Sequence, residues 1–333
     1  MTVIGGLLFT LVCVFGSFAL TGGSVIAILE GLPFELLTIG GAAIGSFAMA
    51  NSMHVIKATM GGLKSVVGGS RYHSQDYEDL LCLLYRLIRL ITTKGTMAVE
   101  SHIENPQESA IFKDHPKILA NKEVVPLICD YFRMIGMDAD DPHQVEDVMG
   151  RELKKTLVEK MHPVHALQGM TDGLPALGII AAVLGVIKTM SHINEPPAVL
   201  GEMIGGALVG TFLGVLLAYG MVGPIAARLK QVVEEEARYL EVIRAILVSH
   251  LHGNPPQVSI ETGRKMVPNE YKAIFDMTDS MTDDSRILKL EELFSKFINP
   301  LSIRLATRQG IIEAYQSGEI FLIPKVKMEL EIV

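Results

Sequence analysis

The sequence predicts an all-α integral membrane protein. It has four transmembrane helices, a helical cytoplasmic domain and a long fourth helix that extends into the cytoplasm. Three observations predict this fold. The 333 residues are 49% hydrophobic and their mean hydropathy is positive, which is unusually apolar for a soluble chain of this length. Four windows are long and apolar enough to cross a hydrocarbon core of about 30 Å, which takes roughly 20 residues of helix. Lys and Arg are absent from residues 1–56 and clustered elsewhere, an asymmetry that sets orientation in a multi-span chain.

The first window, VIGGLLFTLVCVFGSFAL (3–20), lacks a basic leading segment and runs at once into a second apolar helix. It reads as a retained span rather than a signal peptide. The second is FELLTIGGAAIGSFAMA (34–50), the third DGLPALGIIAAVLGVIKTM (172–190) and the fourth MIGGALVGTFLGVLLAYGMVG (203–223). Of the 29 basic residues, 14 fall in 57–160, one is Lys188 and 14 fall in 228–327. The connections 21–33 and 191–202 have none. The basic regions are therefore cytoplasmic, the two short connections face outside, and both termini lie inside. Lys57, Lys64, Arg228 and Lys230 mark the cytoplasmic side close to the spans. The expected organisation is spans one and two in 1–56, a cytoplasmic helical domain in 57–170 and spans three and four in 171–227. A cytoplasmic helical extension in 228–282 and a tail of no assigned role in 283–333 complete it.

In lipid, close helix contact favours small residues. Gly41 and Gly45 are four apart in the second span, and Gly206, Gly210 and Gly214 repeat every four in the fourth. In the third span Pro175, Gly178, Ala182, Gly185 and Thr189 share one helical face. Such faces serve either a partner helix or ordinary packing within the chain. No span carries Asp or Glu in its interior, Glu35 and Glu202 being read as span ends. A proton relay needs an ionisable group in the membrane, so a partner would have to supply one.

Outside the membrane, QDYEDLLCLLYRLIRLITTKG (75–95) reads as an amphipathic helix with Gly95 as its stop. Leu80, Leu83, Leu84, Leu87 and Leu90 form its apolar stripe, and Arg86, Arg89 and Lys94 its basic face. Glu100 and Glu104 follow, and Pro106 ends that segment. Further helices are expected near 122–135 and 142–160. The fourth span has no clear stop before Gly253, Pro255 and Pro256. A helix over 203–252 would be roughly 75 Å long, kinked at Pro224 near the inner face. Pro175 is expected at the same depth, in or near the first turn of the third span. The two prolines mark a hinge level or simply set entry and exit angles. In the tail, SRILKLEELFSKF reads as a helix and GEIFLIPKVKMELEIV as strand-like.

Composition narrows the function classes. A net charge of −8 argues against a nucleic-acid binder. Cys13, Cys82 and Cys129 are scattered, without a CxxC pair, which fits a reducing compartment. His162 and His165 are three apart, but no nearby carboxylate or Cys completes a ligand set. No metal, cofactor or enzymatic chemistry is expected.

Several stretches resemble the MotA family of flagellar motor stator subunits. They are FGSFALTGGS (15–24), LLYRLIRL (83–90), ESHIENPQESAIF (100–112), LPALGIIAAVLGVI (174–187), VGTFLGVLLAYG (209–220) and the Arg264–Lys265 pair after Gly263. The resemblance covers roughly residues 1–282. It implies an inner-membrane machine in which five such chains ring two MotB chains. MotB supplies the ion-binding Asp, and the cytoplasmic face drives the rotor protein FliG. It implies that Pro175 and Pro224 couple ion binding to movement of the cytoplasmic region, and that Glu100 contacts the rotor. The family's basic rotor-contact position falls on Thr92, so Arg89 or Lys94 would take that role, with Arg86 counted among the rotor-contact residues. The ion path and partner-helix face would comprise Gly178, Ala182, Gly185, Thr189, Gly210 and Thr211. Sodium-driven relatives tend to have Thr at the position of Ala182 and Thr-Thr at Gly210 and Thr211, so the residues here favour protons. One charge crossing about 100 mV yields roughly 2.3 kcal/mol, enough to bias a small step of a mostly rigid ring. An ExbB- or TolQ-like energiser is the related alternative, against which the N-terminal hairpin argues. A scaffold or self-contained channel is the other, and the missing intramembrane acid argues against a channel.

Overall fold

A computed structural model of the chain describes residues 2–23, 25–69, 71–136 and 142–272. The tail expectations lie outside the described residues. Those residues are helical with no strand among them, and four helical stretches are long and apolar enough to cross a membrane.

Helix α1 (Thr2–Leu20) is the first span. It ends at Gly22, whose φ of 82° is left-handed and therefore open to glycine at little cost. The second span is helical from Val25, so the connection between the first two spans is much shorter than the 21–33 expected. It consists of α2 (Val25–Glu35), a π turn at Leu36–Gly40 and α3 (Gly41–Ala50). An unanticipated helix follows directly, α4 (Met53–Gly68), capped by the Ser52 hydroxyl, which accepts from the Val55 N–H at 3.4 Å.

The extramembrane layer begins with α5 (Ser74–Lys94), which matches the expected amphipathic helix to within a residue. The backbone N–H of His73 donates to the Asp76 carboxylate at 2.9 Å at its start, and Gly95 at φ 83° terminates it. Leu80, Leu83, Leu84 and Leu87 are fully buried. Helices α6 (Met97–Glu104), α7 (Ala110–Lys113), α8 (Pro116–Leu119) and α9 (Val124–Gly136) complete this layer. The Asn121 side chain accepts from the N–H groups of Glu123 and Val124 at the start of α9.

Helix α10 (Pro142–Met190) is 49 residues long and contains Pro163 and Pro175 in its interior. This corrects the expected break between a helix over 142–160 and the third span. Pro175 does not lie in a first turn; it sits in the middle of a continuous rod of roughly 75 Å. It leaves the Thr171 carbonyl without its usual intrahelical donor, and packing against neighbouring helices allows such a rod to persist in a membrane protein. The fourth span behaves similarly. Helix α11 (Pro197–Val215), a π turn at Leu216–Val222 and α12 (Gly223–Leu251) form one helical run. Its start at Pro197 shortens the connection between the third and fourth spans relative to the expected 191–202. Within the π turn the Gly223 N–H reaches back to the Ala218 carbonyl, and Pro224 follows in the first turn of α12. Helices α13 (Pro256–Met266) and α14 (Asn269–Lys272) close the described chain.

Ring stacking ties the segment just before α5 to α12. Tyr72 and Tyr239 stack with centroids 3.8 Å apart, and the Tyr239 hydroxyl donates to the Asp76 carbonyl at 3.1 Å. Among the spans, Ile39, Ala43, Leu174, Ala181, Leu213 and Ala218 form one apolar core. A second core, containing Val66, Val164, Leu167, Ala226, Leu229 and Val233, joins α4, α10 and α12.

Candidate functional site

The small-residue face of the third span meets the fourth span of the same chain. A Cβ on Gly178 would stand 2.9 Å from the Gly210 carbonyl oxygen and 3.0 Å from the Gly214 Cα. One on Gly185 would stand 2.6 Å from the Ala207 Cβ. Thr189 is buried on the same face and donates its hydroxyl proton to the Gly185 carbonyl at 2.9 Å. Gly178, Gly185, Thr189 and Gly210 are thus occupied by packing within the chain, the plainer of the two readings of such a stripe. Ala182 and Thr211 remain half-buried. The opposite face of α10 presents Ile179, Ile180, Val183, Leu184, Val186 and Ile187 outward.

Gly210 lies at a three-helix corner. A Cβ there would meet the Ala181 Cβ at 3.0 Å, the Ala182 nitrogen at 3.2 Å and Oε2 of Glu35 at 2.9 Å. The sequence reading placed Glu35 at a span end and found no acid inside. The structure corrects this, because the helix of the second span begins before Glu35, at Val25, and Oε2 of Glu35 faces Gly210 of the fourth span. The only available signal was the four-residue spacing of Glu35, Ile39 and Ala43.

The two prolines lie close to one contact between the long helical runs. A Cβ on Gly223 would lie 3.3 Å from the Thr171 side chain. Pro224 follows Gly223, and Pro175 is one turn above Thr171. Pro175 is half-buried and Pro224 exposed.

At the far end of the extramembrane layer, Lys94 and Glu100 are exposed on either side of Gly95, and Arg89 is half-buried. Arg86 is engaged, its guanidinium pairing with Asp114 at 2.6 Å. Thr92 turns its hydroxyl back to the Ile88 carbonyl at 2.9 Å. The Arg133–Glu104 pair at 2.5 Å links α9 to α6.

His162 and His165 line a cleft of about 560 Å³ with Ser46, Asn51 and Ser52. A different trio, His143, Glu146 and His252, holds its ligand-type atoms within 4.8 Å of one another. Sequence spacing could not find it, because His252 comes from the far end of α12. The Glu146 carboxylate already faces Arg244 at 3.6 Å and His252 at 3.2 Å. Between α9, α10 and α12, burial lowers the affinity of Lys160 for its proton. Its hydrogen bonds to Glu123 at 2.6 Å and Glu236 at 2.9 Å more than offset this and hold the ammonium above its usual range.

Four spans with two helical runs continuing unbroken into a helical domain define a polytopic membrane protein whose spans and domain are mechanically joined. Residues 4–95 match the motility protein A N-terminal family, and residues 117–242 match the MotA/TolQ/ExbB proton channel family. The chain is 38% identical over 275 residues to motility protein A of Escherichia coli (strain K12), covering 83% of this chain and 92% of that protein. It is 33% identical over 274 residues to the chemotaxis protein LafT of Vibrio parahaemolyticus, covering 82% and 95%. The fold is similar to that of C. jejuni MotAB, with a TM-score of 0.65 at 17% identity over 80% of this chain and 96% of that one. It is also similar to the flagellar MotAB stator complex from Bacillus subtilis, with a TM-score of 0.65 at 20% identity over 83% and 100%. The chain belongs to the motility protein A family. The match of residues 4–95 to the motility protein itself goes against the ExbB- or TolQ-like alternative.

Proposed function

We propose that the chain is a subunit of the flagellar stator and couples proton flow across the inner membrane to torque on the rotor. Several copies, five by resemblance, would surround MotB, whose Asp would bind the ion. The cytoplasmic layer would act on FliG. The distribution of basic residues supports cytoplasmic termini and a cytoplasmic α5–α9 layer.

The observation that carries this reading is the continuity of α10 and of the 197–251 helical run. A displacement within the spans is passed along these rods with few places to dissipate. Pro175 and Pro224, flanking the Thr171–Gly223 contact, are the natural sites for a change of angle. Ala182 and Thr211, half-buried beside the packed glycines, are the positions through which this chain would border the ion path. A half-buried Ala182 offers no oxygen for a sodium ion, which favours protons. Lys94, Glu100 and Arg89 would form the rotor-facing surface.

Swimming cells that carry this chain with its MotB partner test the reading. Removing sodium at fixed membrane potential should leave speed unchanged; a sodium requirement would refute proton coupling. Pro175→Ala and Pro224→Ala should each reduce torque at normal membrane levels, and unchanged torque in both would remove the hinge. Combined charge reversal at Arg89, Lys94 and Glu100 should lower torque without lowering the amount of assembled complex. Full torque would return those residues to a solvated surface.

A further inference from the structure

We propose that His143, Glu146 and His252 form a binding site for a divalent transition-metal cation of the zinc type, which clamps the first turn of α10 to the end of α12. The proposal stands apart from the stator reading, since it concerns the ends of the two rods opposite the spans and is read as binding.

The three side chains come from two helices. His143 and Glu146 lie three apart at the start of α10, a spacing that puts them on one helical face. His252 is the C-cap residue of α12, and Gly253 at φ 81° turns the chain away just after it. Buried neighbours fix both backbones. Val145 and Met149 on α10 and Ile246 and Leu247 on α12 are each at most 1% exposed. The expectation of no metal rested on spacing along the chain, and Glu146 and His252 are 106 residues apart.

The ligand-type atoms of all three lie within 4.8 Å of one another, and two imidazoles converge on one oxygen. Oε2 of Glu146 is 3.2 Å from Nε2 of His252 and 3.9 Å from Nδ1 of His143. The two rings are inclined at 60° with centroids 5.0 Å apart. Zinc binds imidazole nitrogen and carboxylate oxygen at about 2.0–2.2 Å in tetrahedral geometry, which places neighbouring donors roughly 3.4 Å apart. The Glu146–His252 pair is already close to that separation. His143, whose side chain is 78% exposed, needs only a small rotation to reach it.

The other carboxylate oxygen is held from outside the donor set. Oε1 of Glu146 faces Nη2 of Arg244 at 3.6 Å, and a Cβ on Gly150 would touch that guanidinium at 3.5 Å. Arg244 thus lies along α10 and orients the carboxylate, as outer-shell partners do for metal ligands. Its charge is shared with Glu241 at 3.3 Å, which limits repulsion of a cation. Two imidazoles and one carboxylate suit zinc and its first-row neighbours, whereas magnesium and calcium prefer oxygen donors. Three protein donors leave a fourth position for water.

The test uses the complete stator complex, purified without a polyhistidine tag, freed of metal with a chelator and titrated with zinc. Zinc should raise its melting temperature and magnesium should not. Cobalt at the same site should give the intense visible absorption of a four-coordinate ion. His143→Ala and His252→Ala should each weaken zinc binding by more than about a hundredfold, the upper end of what an outer-shell partner carries. His162→Ala, in the other histidine pair, should leave it unchanged. Because His143 is exposed, His143→Ala decides alone if His252→Ala does not accumulate. Zinc binding equal in wild type and His143→Ala, or no zinc-dependent rise in melting temperature, would overturn the proposal. A complex that binds zinc but passes no protons counts against the stator reading alone, so the two failures are distinguishable.

Discussion

The membrane layer and the extramembrane layer of this chain are packed by opposite means. Between α10 and α11 the contacts are backbone on backbone, with Gly178 against Gly210 and Gly214, and Gly185 against Ala207. The large side chains there, such as Ile179, Leu184 and Ile187, point away from the chain. In the extramembrane layer the large side chains point inward. Leu80, Leu83, Leu84, Leu87, Tyr77, Tyr131, Phe112, Phe132 and Tyr239 are all buried. Water drives the second arrangement, because burying a Leu there removes apolar surface from solvent. Lipid provides no such drive, so helices associate through close approach and dispersion. One chain thus uses glycine for adhesion in one layer and leucine in the other, and the same two helical runs serve both.

Substitutions can break or sharpen this contrast. The largest effect is expected at Gly178→Leu. Its Cβ meets backbone at 2.9 and 3.0 Å, which no rotamer change relieves, so folded protein in the membrane and motility should both be lost. Immunoblots of membranes alongside swarming assays measure this; near-normal levels would mean that the α10–α11 contact is not the adhesive one. The extramembrane core answers to the reverse change. Leu84→Ala, at a fully buried position, should cost about 2–5 kcal/mol, read as earlier thermal unfolding of the detergent-solubilised complex. A loss well under this range would mean that the leucine core is dispensable. Next is Lys160→Met, which leaves Glu236 beside Glu123 without their shared cation. The site is partly exposed, so the expected loss is about 1–2 kcal/mol, and a salt-insensitive melting temperature in wild type would argue against the ion triad.

The smallest effect concerns pH. Burial holds His250 below its ordinary value of 6.5, with a backbone hydrogen bond to Asn254 opposing it. The unfolded chain therefore binds a proton at a higher pH than the folded one. The associated stability is complete above 6.5 and is lost as pH falls from 6.5 through the lower folded value. His250→Gln should flatten that part of the melting-temperature profile, and an unaltered slope would remove His250 from the account.

Much of the fold was legible in the sequence, for local reasons. The four spans follow from hydropathy summed along the chain. The α5 helix follows from leucines at helical spacing between His73 and Gly95, and the long run to Leu251 from the lack of any stop before Gly253. The misreadings arose where a local rule met a tertiary circumstance. Pro175 is a probable helix boundary in isolation, yet α10 passes through it because neighbouring helices hold both halves in line. Helix α4 was missed because its buried positions, Thr59 and Val66, mix a polar residue with an apolar one and form a weak stripe.

The sequence by itself determined the secondary structure, the number of spans and the charge asymmetry, because each depends on residues near one another along the chain. The tertiary structure alone decided which partners those helices meet. It directed Gly178, Gly185 and Gly210 to contacts within the chain, brought Thr171 onto Gly223, and set the Glu35 carboxyl against Gly210. Glycine has no side chain with which to specify a neighbour, and a lone Glu near the end of a span reads the same whether it faces water or a packed corner. Only the arrangement of three helices distinguishes the two.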